Sequence, residues 1–95
     1  MDLSFEWDPR KESANRRKHR VSFEEAVAVF GDPLARIFDD PDRSGREARE
    51  LIVGRSKQQR LLVVCFVQRD DRIRIFSARK ATRQERQDYE EGVNT

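Results

Sequence analysis

Apolar and polar positions along the chain follow two periods, and these predict an α+β order of elements. Leu3 to Trp7 alternates apolar and polar side chains and stops at Asp8-Pro9, which predicts a short strand, then a helix with Asp8 as N-cap and Pro9 in its first turn. That helix, over 9–19, has Ala14 as its only apolar residue, so no hydrophobic stripe holds it. Asn15 and His19 share one of its faces and are candidates for buried hydrogen bonding. Ser22-Phe23-Glu24-Glu25 has the form of a capping box. Phe23, Ala26, Val27 and Phe30 then follow at helical spacing, which predicts a second helix, the main core contributor, stopped by Gly31-Asp32-Pro33.

Strands are expected over 34–38, 48–55, 60–68 and 72–79, with 39–46 as an exposed loop. The run 60–68 is apolar on both faces and belongs at the centre of the sheet. The short Arg69-Asp70-Asp71 connection makes it the antiparallel neighbour of the last strand. Thr82-Arg83-Gln84-Glu85 is a second capping box, opening a helix that ends near Gly92 and docks through Tyr89 and Val93. Together these predict one small α+β domain: a mostly antiparallel sheet, two N-terminal helices and one C-terminal helix, ordered over about 3–91.

At 95 residues the chain has room for one thin core. Its 40% charged content is nearly balanced, at a net +2, but segregated. In 9–20, Arg10, Lys11, Arg16, Arg17, Lys18 and Arg20 stand against Glu12 alone, and 51–83 is again strongly basic, while 22–50 and 84–95 are acidic. A fold that joins the two basic regions attracts a polyanion despite the small net charge. Cys65 lies within an apolar run, has no second cysteine to pair with, and is expected to pack as a small hydrophobe. His19 is the only histidine, so no metal-ligand spacing exists and no cofactor is expected. The absence of a secretory h-region and of a bilayer-length apolar run leads to the expectation of a cytosolic protein without a membrane partner.

The segment Arg72-Ile73-Arg74-Ile75-Phe76-Ser77-Ala78-Arg79-Lys80 carries cations on both faces of a strand and ends beside a helix start at Thr82. Clustered guanidinium and ammonium groups on a rigid strand suit phosphate; solvation of an edge strand is the competing reading.

Phe5-Glu6-Trp7-Asp8-Pro9, Lys11, Asn15, Lys18-His19 and Val21-Ser22-Phe23-Glu24-Glu25-Ala26 resemble the opening of the BrnT toxins of bacterial type II toxin–antitoxin systems. Asp32-Pro33, Ile52-Val53-Gly54-Arg55-Ser56, Leu61 to Val64, Arg72 through Thr82, Glu85-Arg86 and Tyr89-Glu90 continue the resemblance in order. It implies a RelE-like fold and a ribonuclease that cuts RNA and arrests translation and growth. It also implies a cognate BrnA-type antitoxin that silences the toxin, a higher-order complex, and contact with operator DNA only through the antitoxin. Arg20 departs from the pattern, which commonly has Gly after Lys-His, a residue suited to a left-handed helix end.

RNA can be cut without metal when its 2′-hydroxyl attacks the adjacent phosphorus, which needs a base, an acid and cations on the phosphoryl oxygens. Arg79 is the first candidate for the last role, then Arg55 and Arg74, with Lys80 as phosphate anchor and Arg72 and Arg83 as further RNA contacts. Strand parity sets Arg74 on the face opposite Arg79 unless a bulge intervenes. Glu50 and His19 are the candidate proton carriers, with ion pairing and helix-end hydrogen bonding as their competing roles. Tyr89 can stack on a base, donate a proton, or simply anchor its helix; Trp7 and Phe76 are expected in the core. A non-catalytic nucleic-acid-binding or protein-interaction module remains the alternative function.

Overall fold

Early in the chain, alternation gives way to helix, yet both segments follow the same sheet edge. The computed structural model describes residues 3–41 and 48–93. Five strands, β1 (Ser4–Glu6), β2 (Arg36–Asp39), β3 (Glu50–Arg55), β4 (Leu61–Arg69) and β5 (Arg72–Lys80), form one sheet in the order β1-β5-β4-β3-β2. β1 runs parallel to β5 and the other pairs are antiparallel. Helices α1 (Pro9–His19) and α2 (Phe23–Val27) follow β1, and α3 (Arg83–Val93) closes the described chain. The apolar run of β4 is central, as its two-sided pattern requires, and the β4–β5 hairpin turns at Asp70, whose φ is 55°. The expected loop over 39–46 and the side chain of Val93 lie partly or wholly outside the described residues.

One sheet face packs Ile52, Leu62, Val64, Phe66, Ile73, Ile75 and Ala78 against Val21, Phe23, Ala26 and Val29. The helix expected through Phe30 tightens into a 3₁₀ turn at Ala28–Gly31, which brings Val29 fully inside and leaves Phe30 only partly buried, edge-on to Phe66. The other face packs Val53, Leu61 and Val63 under Tyr89 of α3.

β5 pairs with β1 only through Arg74, and from there α1 takes over the edge. Asn15 is the only buried side chain of α1. Its Oδ1 accepts from the Ala78 N–H at 3.1 Å, and its Nδ2 donates to the Ala78 carbonyl at 2.8 Å and the Val21 carbonyl at 3.0 Å. One amide thus supplies the donor and acceptor that a neighbouring strand would have given Ala78.

A bulge corrects the simple parity of β5. Cys65 faces Ser77 while Phe66 faces Ile75, so Phe76 is an extra residue. The inward run Ile73, Ile75 therefore continues at Ala78, and Arg74 and Arg79 share the opposite face. Phe76, expected in the core, is instead half-buried, with the Arg49 guanidinium 4.3 Å and the Lys11 ammonium 5.1 Å from its ring centre. Trp7 is also partly buried, but packs edge-on to Phe23 against the main core.

Arg20 caps α1 in the left-handed conformation, φ 60° and ψ 32°, with its N–H on the Arg16 carbonyl. An L-residue there is strained, so Arg20→Gly should stabilise the protein by about 1 kcal/mol. The thermal midpoint should rise by roughly 4–8 °C, and an unchanged or lower midpoint would remove strain at this turn as a feature of the fold.

Candidate active site

Where β5 turns into α3, the second capping box does two jobs. The Glu85 N–H donates to the Thr82 hydroxyl at 3.2 Å and the Thr82 N–H returns to Glu85 Oε1 at 2.8 Å. The same carboxylate holds Arg79 in a bidentate pair, Nη1 at 2.7 Å and Nη2 at 2.9 Å. Arg79 Nη1 also donates to the Lys80 carbonyl at 3.3 Å. Among the described residues this leaves Nε–H and one Nη2–H, the side edge of the guanidinium, without a partner. Two parallel donors on one edge match two phosphoryl oxygens.

The Arg79 hydrogen bond outweighs partial burial and pulls the Glu85 carboxyl down to about 2. A carboxyl lowered on folding contributes stability above its unfolded value, near 4.5, and that contribution disappears as pH falls toward 2. With the partners 36% and 26% exposed, the contribution is about 1–2 kcal/mol after solvent screening. Thermal midpoints should fall over this window in the wild type and less steeply in Glu85→Gln. Parallel pH profiles would contradict the coupling.

The remaining sequence candidates divide between the two ends of the sheet. α1 runs alongside β5, with Lys11 level with Phe76 and Asn15 level with Ala78. One further helical turn, about 6 Å, matches two strand residues and sets the partly buried His19 level with Lys80. Lys80 points to the face opposite Arg79, where its charge helps hold the Glu25 carboxyl down. Arg83 is exposed on the first turn of α3. Arg74 shares a face with Arg79 but lies roughly 15 Å along the strand, tied to Glu6 at 2.8 Å, with Arg72 near the same carboxylate at 4.0 Å. Glu50 begins β3, at the end opposite Arg55.

Arg55 and Tyr89 meet over Asp32, which the sequence marked only as a helix stop. The Arg55 backbone N–H and the Tyr89 hydroxyl both donate to Asp32 Oδ2 at 2.8 Å, and the Leu34 N–H donates to Oδ1 at 2.9 Å. The Arg55 guanidinium lies 5.7 Å from the Tyr89 ring centre and donates to the Gln59 carbonyl at 3.1 Å. Gly54 makes this approach possible, because a Cβ there would lie 3.0 Å from Ala35 and Val29 side-chain carbons and 3.1 Å from Asp32 Oδ2. Burial raises the Asp32 carboxyl, but the bonds from Arg55, Leu34 and Tyr89 outweigh it and hold it below the usual range. Burial, followed by the bond to Asp32, pushes the Tyr89 phenol up. Tyr89 is therefore a buried, committed donor as well as the anchor of α3.

Glu25 is a second organiser that the sequence misplaced. The Glu25 N–H does meet the Ser22 hydroxyl at 3.0 Å, but the Glu25 carboxylate accepts from Ser56 Oγ at 2.7 Å and from Arg60 Nε at 2.9 Å, with Arg60 Nη2 on its other oxygen. The next N–H of the helix start, that of Phe23, donates to Glu12 Oε2 at 3.4 Å. Arg60 hydrogen bonding, outweighing burial, lowers the Glu25 carboxyl.

A five-stranded mixed sheet with helices at both ends of the chain and a basic strand-to-helix corner is a RelE-like fold. Residues 7–85 match the family model described as the ribonuclease toxin BrnT of type II toxin–antitoxin systems, and the chain belongs to that family. The crystal structure of the Brucella abortus ribonuclease toxin BrnT is similar to it, with a TM-score of 0.66 at 19% identity over 85% of this chain and 99% of that one. No curated protein matches the chain in sequence. Toxins of this family pair with cognate antitoxins.

Proposed function

We propose that this toxin is a metal-independent endoribonuclease whose phosphate-stabilising group is Arg79. The observation that carries this reading is the side edge of the Arg79 guanidinium, unpartnered among the described residues and held in place by Glu85 at the start of α3. In the proposed reaction the RNA 2′-oxygen attacks the adjacent phosphorus and the 5′-oxygen leaves, giving a 2′,3′-cyclic phosphate and a 5′-hydroxyl. Charge gathers on the non-bridging oxygens, where Arg79 offers two donors. Lys80 and Arg83 flank the corner as electrostatic anchors. His19, level with Lys80, is better placed than Glu50 to carry a proton, and Glu85 is too acidic for that role. Arg55 and Tyr89 hold the far side of α3 through Asp32 and act on the site by positioning it.

Among the described residues no three His, Cys, Asp or Glu side chains come together as ion ligands. Purified protein freed of its partner should cleave RNA in EDTA. Activity lost in EDTA and restored by Mg²⁺ alone would contradict the proposed chemistry.

The partner we propose is a BrnA-type antitoxin, which would link the toxin to operator DNA and into a larger assembly. Edge strand β2 and the turn before it expose Leu34, Ile37 and Phe38, apolar material suited to a protein partner.

A further inference from the structure

We infer that the outer face of α1 is the RNA-anchoring surface of this toxin, a phosphate track leading to Arg79 that contributes to substrate binding and takes no part in bond cleavage. The inference rests on the ribonuclease reading above and extends it to how the substrate is held.

α1 has an unusual construction for a helix on a small domain. Its only buried side chain is Asn15, and even Ala14, its one apolar residue, is exposed. Packing therefore does not explain the cations on the rest of its surface. Arg10, Lys11, Arg16, Arg17, Lys18 and the capping Arg20 are all exposed. Among the described residues only Glu12 forms an ion pair with any of them, with Arg16 at 3.2 Å. Ser13, Arg16, Arg17 and Arg20 line a shallow basic hollow on this helix. Cations in the last turn also offset the helix dipole, but that effect is confined to the terminus, whereas the charge here begins at Arg10.

Continuity with the corner is the second observation. Asn15 fastens α1 to Ala78, the residue before Arg79. One turn earlier Lys11 and Arg49 flank Phe76 at 5.1 and 4.3 Å, an aromatic ring between two cations beside the same strand. The first basic region of the sequence thus lies directly beside the strand that carries Arg79.

The chemistry of the face selects its occupant. A protein interface is centred on clustered apolar side chains, as the β2 edge is with Ile37 and Phe38, whereas here the half-buried Phe76 ring stands between two cations. A polyphosphate needs only spaced cations, and single-stranded RNA also uses exposed rings and guanidinium planes for stacking.

The test uses a 2′-O-methyl RNA oligonucleotide, which has no attacking hydroxyl, and measures affinity against salt for wild type and Arg17→Gln/Lys18→Gln. Loss of two phosphate contacts should reduce the log–log salt slope by about 1.4, or roughly 25-fold in relative affinity per tenfold change in salt. On cleavable RNA the double variant should show a raised KM and an unchanged kcat, with wild-type thermal midpoint and antitoxin binding. A wild type that cleaves RNA beside a variant with unchanged affinity and slope would overturn this inference alone. Loss of antitoxin binding without loss of RNA binding would reassign the face to the protein partner and equally overturn it. A wild type that neither binds nor cuts RNA would remove the ribonuclease reading as well.

Discussion

Arg79→Ala should slow RNA cleavage by about 10²–10³, the usual effect of removing one preorganised donor from a charge-developing transition state. Arg79 also has a structural duty, since it pairs with the carboxylate that caps α3. Removing it leaves Glu85 partly buried without its cation, so some loss of stability accompanies any loss of activity. Glu85→Gln separates the two roles. That variant loses the charged pair and the helix cap weakens, yet the guanidinium remains. It should lower the thermal midpoint about as much as Arg79→Ala while keeping cleavage within about tenfold of wild type, well short of the loss expected for a missing donor. Arg86→Ala, on an exposed pair 4.0 Å from Glu90, serves as a control with little effect on either. Equal loss of cleavage in Arg79→Ala and Glu85→Gln would assign Arg79 to the fold and not to the chemistry.

Asn15→Ala should be the most destabilising single substitution of a polar residue, at about 3 kcal/mol. Three buried backbone partners, the Ala78 N–H and carbonyl and the Val21 carbonyl, lose their bonds together, and each stranded group costs about 1–3 kcal/mol, less where water reaches the cavity. The midpoint of thermal unfolding should drop by roughly 12–24 °C. Asn15→Asp keeps the acceptor for Ala78 N–H but loses both donated bonds and buries a charge, so it should be no better than Ala at neutral pH. A drop below about 5 °C in Asn15→Ala would show that α1 is held by something other than this amide.

Why the elements were legible in the sequence is visible in the same residues. The alternation around Phe5, the two-sided apolar run of β4 and the Thr82–Glu85 box each depend on neighbours in the chain, and each formed where its pattern places it. Asn15 was legible for a negative reason, as a polar residue on a helix without a hydrophobic stripe. Where local and distant partners compete, the sequence was ambiguous. The Ser22–Glu25 box predicts that Glu25 turns back to its own helix start, but Arg60 and Ser56, more than thirty positions away, take its carboxylate. The bulge at Phe76 was hidden because Ile75 and Phe76 are both apolar and neither announces which is extra. The site shows the same division. The cations of β5 were evident from composition, whereas Glu85 and Asp32, which orient Arg79 and hold Arg55 and Tyr89, carried only capping and stop signals until the sheet and α3 met.

The reaction itself leaves a chemical record in its products. Partner-free wild-type protein, incubated in EDTA with an end-labelled RNA, should yield upstream fragments ending in a 2′,3′-cyclic phosphate and downstream fragments beginning with a 5′-hydroxyl. A 2′-deoxy substitution at the cut position should leave that bond intact. Products with a 3′-hydroxyl and a 5′-phosphate, or RNA that is bound but never cut, would contradict a 2′-hydroxyl attack stabilised by Arg79.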